Sequence, residues 1–180
     1  MKDKIFSTRK MVSLGLLGAI SIVLVMIVHF PLFPAVPFLE YDPADVPIII
    51  ATFAFGPLGG FLLTTVVSIL QGITVSASSG IVGIFMHIFS TGSYCLVGGN
   101  VYKRNKTKQG AVIALITGTI ASVITMSLWN LIVTPRYLGI PVSAIIDLMP
   151  WIVLFNIIKS SVNSVIAYFV YKPVSNLIKK

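Results

Sequence analysis

The sequence predicts an all-α membrane protein with six transmembrane helices, and three observations support this fold class. Of its 180 residues, 56% are hydrophobic and 10% are charged, with a mean hydropathy of +0.99. A soluble domain carries about 25% charged residues. Charged residues are absent from 11–39, 46–102 and 109–135, and about 20 apolar residues cross a bilayer core of about 30 Å, so the middle stretch must hold more than one crossing.

The basic residues mark the cytoplasmic side. Most of them fall into three groups along the chain, which are Lys2, Lys4, Arg9 and Lys10, then Lys103, Arg104, Lys106 and Lys108, and finally Lys172, Lys179 and Lys180. This distribution is typical of the positive-inside rule and predicts that both termini and the middle loop are cytoplasmic, in contact with membrane lipid. The net charge of +8 is thereby assigned to topology, and nucleic acid is not expected as a partner.

The helices are predicted from the apolar blocks, which cover 11–30, 44–74, 80–102, 110–133 and 151–171. The first is interpreted as a retained span, because prolines rather than a small-residue cleavage site follow it. An even number of crossings must separate two cytoplasmic segments, so the second block is divided at 56–60, where one proline and three glycines weaken a helix. The two short halves, 44–55 and 58–74, bring the total to six crossings within a single membrane domain over 1–180.

Two proline-rich segments, 31–43 and 134–150, are predicted as loops on the outer face. At the end of the first, Asp42 fits a helix N-cap and Pro43 the first helical position. Asp45 stands where a capping box has its acid. These two carboxylates are therefore predicted to stabilise the helix start.

A polar stripe on the last helix is the sharpest functional signal. Asn156, Lys159 and Asn163 share one face at spacings of three and four. A lysine near the bilayer centre costs roughly 3 kcal/mol on insertion scales, so it usually faces a cavity, a partner charge or a ligand. The alternative is that Lys159 reaches the interface or bonds neighbouring carbonyls as a packing device.

Three more residues are candidate ligand contacts. Asn130, near the outer end of the fifth helix, offers both a donor and an acceptor, which suits a ligand or another helix equally. In the first outer loop, the cap does not explain Glu40 and Tyr41, so they are predicted to meet a ligand entering from outside, with an exposed loop carboxylate as the alternative for Glu40. His87 is expected to be a hydrogen-bonded packing residue.

The sequence lacks the residues that several kinds of functional site require. With one cysteine and two histidines, neither an intrachain disulfide nor a Cys/His metal cluster is expected. No phosphate-binding loop and no paired intramembrane carboxylates occur, and the five acidic residues are assigned to the N-terminal tail and outer loops. We therefore expect a protein that is not an enzyme and has no catalytic residues, metal or cofactor. If it is a transporter, its energy must come from another subunit.

A docking surface for such a subunit is predicted on the first helix. Gly15 and Ala19 form a small-xxx-small pattern that permits close approach of another helix. Internal packing of the same residues is the alternative.

Three segments and three side chains together point to a known family. The segments are 38–47 (FLEYDPADVP), 53–60 (FAFGPLGG) and 83–87 (GIFMH), and the side chains are Asn130, Asn156 and Lys159. In these features the chain resembles the riboflavin-specific (RibU) family of S components of energy-coupling factor (ECF) vitamin transporters. The resemblance covers nearly the whole chain. Members of this family usually have an Ala-xxx-Ala pattern in the first helix. This chain departs from it slightly, because it has Gly15 and Ala19 at these two positions.

The resemblance implies a six-helix protein of the cell membrane that captures riboflavin, as substrate and not as cofactor, from outside. It also implies two kinds of partner, a transmembrane coupling subunit and two cytoplasmic ATPases. Asn130, Asn156 and Lys159 would bond the ligand, and Glu40 and Tyr41 would close over it. An S component for another vitamin, a small membrane scaffold and an intramembrane enzyme are the alternatives.

Overall fold

The computed structural model describes residues 7–179, with the side chains of Ser78 and of 175–179 left out. These residues form seven α-helices, one short 3-10 turn and one two-stranded ladder. In order, the elements are α1 (Thr8–Ile27), β1 (Phe30–Pro31), β2 (Glu40–Tyr41), α2 (Asp45–Phe55), α3 (Pro57–Ile73), the 3-10 turn (Ala77–Ser79), α4 (Gly80–Arg104), α5 (Lys108–Ile132), α6 (Thr134–Leu138) and α7 (Val142–Lys179). Of the basic residues predicted to set topology, Lys2, Lys4 and Lys180 lie outside the described residues.

Four helices are long and apolar enough to cross a membrane, namely α1, α4, α5 and the part of α7 that spans Val142–Val174. Most of their side chains face outward, and many of the exposed ones are large and apolar. Lipid suits such a surface, whereas water does not. The chain is therefore a multi-pass membrane protein.

The predicted break in the second apolar block is confirmed. α2 ends at Phe55 and α3 begins at Pro57, with Gly56 between them at φ +90°. Glycine adopts this backbone conformation without a steric penalty, and proline at the first helical position lacks only an N–H that would be unpaired there anyway. The Gly-Pro pair therefore turns the chain sharply between two short helices.

α2 is the centre of the bundle. Every residue from Asp45 to Phe53 is buried, and α2 packs against α1, α3, α4 and α7. Eleven residues span only about 16 Å, so α2 is short for a bilayer, but its neighbours shield it from lipid. The largest apolar cluster forms around it, with α1, α3, α4, α5 and α7 contributing.

α4 and α5 are the most closely packed long helices of the bundle. At their crossing, a Cβ on Gly98 would lie 2.6 Å from the carbonyl oxygen of Ala114. Only glycine allows the two backbones to approach this closely.

The prediction of a loop over 134–150 is wrong. α6 occupies Thr134–Leu138, and α7 begins at Val142, nine residues before the predicted start at 151. Two of the three prolines stand where helices tolerate them, since Pro135 is in the first turn of α6 and Pro141 directly precedes α7. Pro150 lies within α7, and so does Asp147, which was predicted to be a loop residue.

The predicted capping box is wrong as well. α2 begins at Asp45 with Ala44 as its N-cap, and no side chain caps it. One oxygen of Asp42 accepts a hydrogen bond from the Ala44 N–H at 3.0 Å, which supports the turn into the helix. The carboxylate of Asp45 is buried and turned toward α4 and α7, so the assignment of every acidic residue to a tail or loop fails for Asp45.

Candidate functional site

Loop 1 (residues 28–44) folds into the bundle. Phe30–Pro31 pairs with Glu40–Tyr41 in an antiparallel ladder, which draws the two ends of the loop together. Between them, Val36 and Leu39 are fully buried. They form an apolar cluster with side chains of α5 and α7, which are Met126, Ile145, Ile152 and Phe155. Removal of this apolar surface from water holds the loop between the two helices.

A buried ion pair joins loop 1 to α7. Lys159 Nζ lies 2.7 Å from Asp42 Oδ2, and the two side chains are only 16% and 4% exposed. Lys159 also donates to the carbonyl oxygen of Glu40 at 3.4 Å. Of the options the sequence left open for Lys159, the structure shows a partner charge.

Asn163 is a second link between loop 1 and α7. It is fully buried, and its Nδ2 donates to the carbonyl oxygen of Asp42 at 3.1 Å. Its Oδ1 accepts a hydrogen bond from the Tyr41 hydroxyl at 3.1 Å. Burial, together with the nearby Asp42 carboxylate, raises the pKa of the Tyr41 phenol, so this hydroxyl keeps its proton and remains a donor.

Asp45 connects the start of α2 to α4 and α7. Its Oδ1 accepts a hydrogen bond from the Thr91 hydroxyl at 2.8 Å and lies 2.9 Å from His87 Nε2. Its Oδ2 accepts from Asn163 Nδ2 at 3.4 Å. Because a carboxylate only accepts, His87 Nε2 must carry a hydrogen. The other ring nitrogen, Nδ1, lies 2.7 Å from Ser68 Oγ on α3.

A cavity of about 70 Å³ opens beside this network. Loop 1 lines one wall with His29, Phe38, Glu40 and Asp42. The opposite wall combines the end of α3, the 3-10 turn and the first turns of α4, which contribute Ser68, Gln71, Gly72, Ser76, Ser79, Gly83, Met86 and His87, and Lys159 of α7 completes the lining. The carboxylate of Glu40 lies 2.6 Å from His29 Nε2.

The structure brings some of the predicted site residues together. Glu40 and Lys159 both line the cavity. Tyr41 is adjacent in sequence to Glu40 and reaches Asn163 on the same face of α7 as Lys159. His87, expected to be a hydrogen-bonded packing residue, is hydrogen-bonded but also lines the cavity.

Asn130 and Asn156 do not line this cavity. Both are buried, and each Nδ2 donates to a carbonyl oxygen one turn earlier in its own helix, at Met126 and Ile152 respectively. Asn130 Oδ1 also accepts a hydrogen bond from the Thr134 hydroxyl at 2.9 Å. Since Met126 and Ile152 belong to the apolar cluster, the two asparagines lie beside that cluster instead.

Gly15 and Ala19 lie on α1, apart from the cavity, and both are exposed. A Cβ on Gly15 would meet nothing within 4 Å. The neighbouring small residues point inward, because Gly18 packs on Leu63 and Ser21 donates to the carbonyl oxygen of Ala44. Internal packing therefore explains Gly18 and Ser21 but not Gly15 and Ala19.

Sequence reasoning missed three members of the site. Asp42 and Asp45 looked like helix caps, and their partners lie on other helices, 117 positions away for Lys159 and 42 positions away for His87, so no local spacing could reveal them. Gln71 carried no signal beyond its place in an apolar block. Within the described residues, no group of three or more His, Cys, Asp or Glu side chains could hold a metal ion.

Comparisons with known proteins agree on one family. A family model described as "ECF transporter, substrate-specific component" matches residues 9–175. A solved structure described as "Structure and mechanism of the S component of a bacterial ECF transporter" superposes with a TM-score of 0.81 at 30% identity, covering 96% of this chain and 99% of that one.

Two curated relatives carry similar names. "Riboflavin transporter RibU" of Staphylococcus aureus (strain TCH60) is 28% identical over 96% of this chain and 93% of its own length. "Riboflavin transporter FmnP" of Bacillus subtilis (strain 168) is 33% identical over 72% of this chain and 68% of its own length.

Proposed function

This chain belongs to the family of substrate-specific components of ECF transporters, and from that premise we propose that it binds riboflavin from outside the cell for import. Its activity is capture and delivery, so it is a transport protein and not an enzyme. Riboflavin is its cargo. The relatives named as riboflavin transporters support this choice of vitamin.

One observation carries the proposal, namely that a packed apolar cluster and a polar cavity adjoin under loop 1. Phe38 and Met86 line the cavity and also pack against the apolar cluster. On one side of these two side chains lie Val36 and Leu39 with their apolar neighbours, and on the other lie Lys159, Glu40 and the hydroxyls of the cavity.

Riboflavin likewise has an apolar part and a polar part. Its flat tricyclic ring needs apolar and aromatic walls with a few hydrogen bonds at the edge, and its ribityl chain carries hydroxyl groups that both donate and accept. In our proposal the ring takes the place of the loop 1 side chains in the apolar cluster, and the ribityl chain extends into the polar cavity.

Loop 1 has to move for this to happen. Pockets that hold a ligand of this size measure roughly 300–1,000 Å³, against about 70 Å³ for the cavity. Withdrawal of Val36 and Leu39 would free the space between α5 and α7 and uncover Asn130 and Asn156 at its edge. We propose that these asparagines and Lys159 then bond the ligand, while Glu40 and Tyr41 of loop 1 close over it.

We further propose that residues 1–180 act as a single membrane domain with six crossings and both termini in the cytoplasm. α2 and α3 would supply the two short crossings, and α6 would lie at the outer surface. The basic residues between α4 and α5 support the orientation. The first turns of α4 line the cavity beside loop 1, whereas Lys103 and Arg104 stand in the last turn of this 25-residue helix, with Lys106 and Lys108 just beyond it.

Transport requires partners in this proposal. A transmembrane coupling subunit and two cytoplasmic ATPases would provide the energy. The exposed pair Gly15 and Ala19 on α1 supports a coupling surface there, since two small residues one turn apart allow a partner helix to approach closely.

Riboflavin binding by the purified chain tests the proposal. Flavin fluorescence should be quenched on titration with ligand-free, monodisperse protein in detergent. A folded preparation that leaves micromolar riboflavin unbound would exclude the function. Binding of a different vitamin in the same panel would indicate another S component, and binding of none would favour a scaffold.

A further inference from the structure

The end of α3 carries a buried acceptor that no described residue satisfies. Gln71 is 7% exposed, and its Oε1 accepts no hydrogen bond from any residue that the structure describes. Leaving such an atom buried and unpaired destabilises the folded protein. A native protein tolerates such an atom where another molecule supplies the donor.

Gln71 faces the cavity. It follows Gly60, Leu63, Thr64, Val67 and Ser68 on the buried face of α3, and it is among the residues that line the cavity. Its own carbonyl oxygen accepts backbone hydrogen bonds from Thr74 and Ser76, at 3.2 and 2.9 Å. The turn after α3 therefore holds the residue in place beside the cavity.

The hydroxyl nearest along the same helix face is already committed. Ser68 Oγ donates to the carbonyl oxygen of Thr64 at 2.6 Å and lies 2.7 Å from His87 Nδ1. A serine has one hydroxyl hydrogen, so none is left for Gln71. No described side chain supplies the donor for Gln71 Oε1, and a molecule that enters the cavity can supply it.

The chemistry of the lining identifies that donor. Gln71 Oε1 and the carboxylate of Glu40 accept hydrogen bonds, and Lys159 donates them. A chain of hydroxyl groups matches this mixture, because each hydroxyl both donates and accepts. A flat ring edge held in the apolar cluster, on the far side of Phe38 and Met86, does not reach the end of α3.

We propose that Gln71 binds the hydroxyl chain of the ligand and that α3 is thereby part of the binding site. The inference rests on the proposed function and deepens it, since it separates the hydroxyl end of the ligand, which Gln71 binds, from the ring end, which lies beside Asn130 and Asn156. Gln71 is a specificity residue for the ribityl chain.

The test compares riboflavin with lumiflavin, which has the same ring and a methyl group in place of the ribityl chain. Gln71→Met keeps the length of the side chain and removes the acceptor. Its affinity for riboflavin should fall about 3- to 10-fold, as for one lost hydrogen bond. Its affinity for lumiflavin should not change, so the preference for riboflavin over lumiflavin shrinks by the same factor.

Two further variants control the result. Asn130→Leu, which alters the proposed ring end, should weaken both flavins by similar factors. Gln71→Glu keeps an acceptor at the same place and should retain a larger preference for riboflavin than Gln71→Met. If Gln71→Met does not fold, Gln71→Asn withdraws the acceptor by one methylene group and should reduce the preference in the same direction.

The outcomes separate the two claims. Wild-type protein that binds neither flavin excludes the proposed function and the inference with it. Wild-type protein that binds riboflavin, with an unchanged preference in Gln71→Met, overturns the inference alone. Equal losses for riboflavin and lumiflavin in that variant would also overturn it, because Gln71 would then act on the ring or on packing.

Discussion

Lys159 Nζ lies 2.7 Å from Asp42 Oδ2, although the two residues are 117 positions apart in the chain. The pair is buried and ties loop 1 to α7. Asp42 binds the same ammonium group of Lys159 that we propose for ligand binding. Entry of the ligand and release of loop 1 therefore involve the same side chain. A ligand that bonds Lys159 would share it with Asp42 or replace Asp42.

The ion pair should show strong coupling in a double-mutant cycle. Asp42→Asn leaves a buried ammonium without its counter-charge, and Lys159→Met leaves a buried carboxylate, so each single change should lower the free energy of unfolding by about 3–5 kcal/mol. The double variant contains neither charge and should recover most of that loss. Thermal unfolding of ligand-free protein in one detergent measures all four proteins. Losses that simply add would show that the two side chains do not interact.

Ligand affinity should depend on the polar stripe of α7. Asn156→Ala and Lys159→Ala should each weaken riboflavin binding by about 1–3 kcal/mol, because the ligand loses a buried hydrogen-bond partner. Fluorescence titration of folded protein gives the dissociation constants. Asn100→Ala is the matched control, since Asn100 is exposed near the basic end of α4. Unchanged affinity in both α7 variants would mean that the ligand binds elsewhere.

The sequence predicts the long helices of the bundle better than it predicts the segment 134–150. The Gly56-Pro57 break and the long apolar helices follow from local chemistry, because glycine, proline and apolar periodicity act over a few residues. Pro135 and Pro141 misled the prediction of a loop, since proline excludes the interior of a helix but suits its first turn. The helical segment at Thr134–Leu138 and the early start of α7 at Val142 therefore went unrecognised.

The residues of the site also differ in whether a local sequence pattern reveals them. Lys159 stood out because a lysine in an apolar helix is costly wherever its partner lies. Asp42 and Asp45 satisfied a local rule for helix caps and so concealed their distant partners, Lys159 and His87. Gln71 could not be found from the sequence, because an unpaired oxygen is a property of the assembled bundle.

Two glycine substitutions, one at the crossing of α4 and α5 and one on the exposed face of α1, should have opposite effects on stability. Gly98→Ala brings a methyl group to 2.6 Å from the backbone oxygen of Ala114 and should destabilise the protein by about 1–3 kcal/mol, as overpacking does. Gly15→Ala meets open space and should stabilise α1 by up to about 1 kcal/mol through helix propensity. Unfolding midpoints in the same detergent compare them. Equal shifts would contradict the close approach of the two helices.

The exposed small residues on α1 predict a separation of binding from transport. Gly15→Trp fills the surface where we place the coupling subunit and should abolish riboflavin uptake by cells that express the partner subunits, while purified protein binds riboflavin as before. Ile113→Trp is the control, because Ile113 is exposed on α5, which packs mainly on α4 and α7. It should leave both uptake and binding intact. Loss of riboflavin binding in Gly15→Trp would instead assign Gly15 to internal packing, and full uptake would place the coupling surface on another helix.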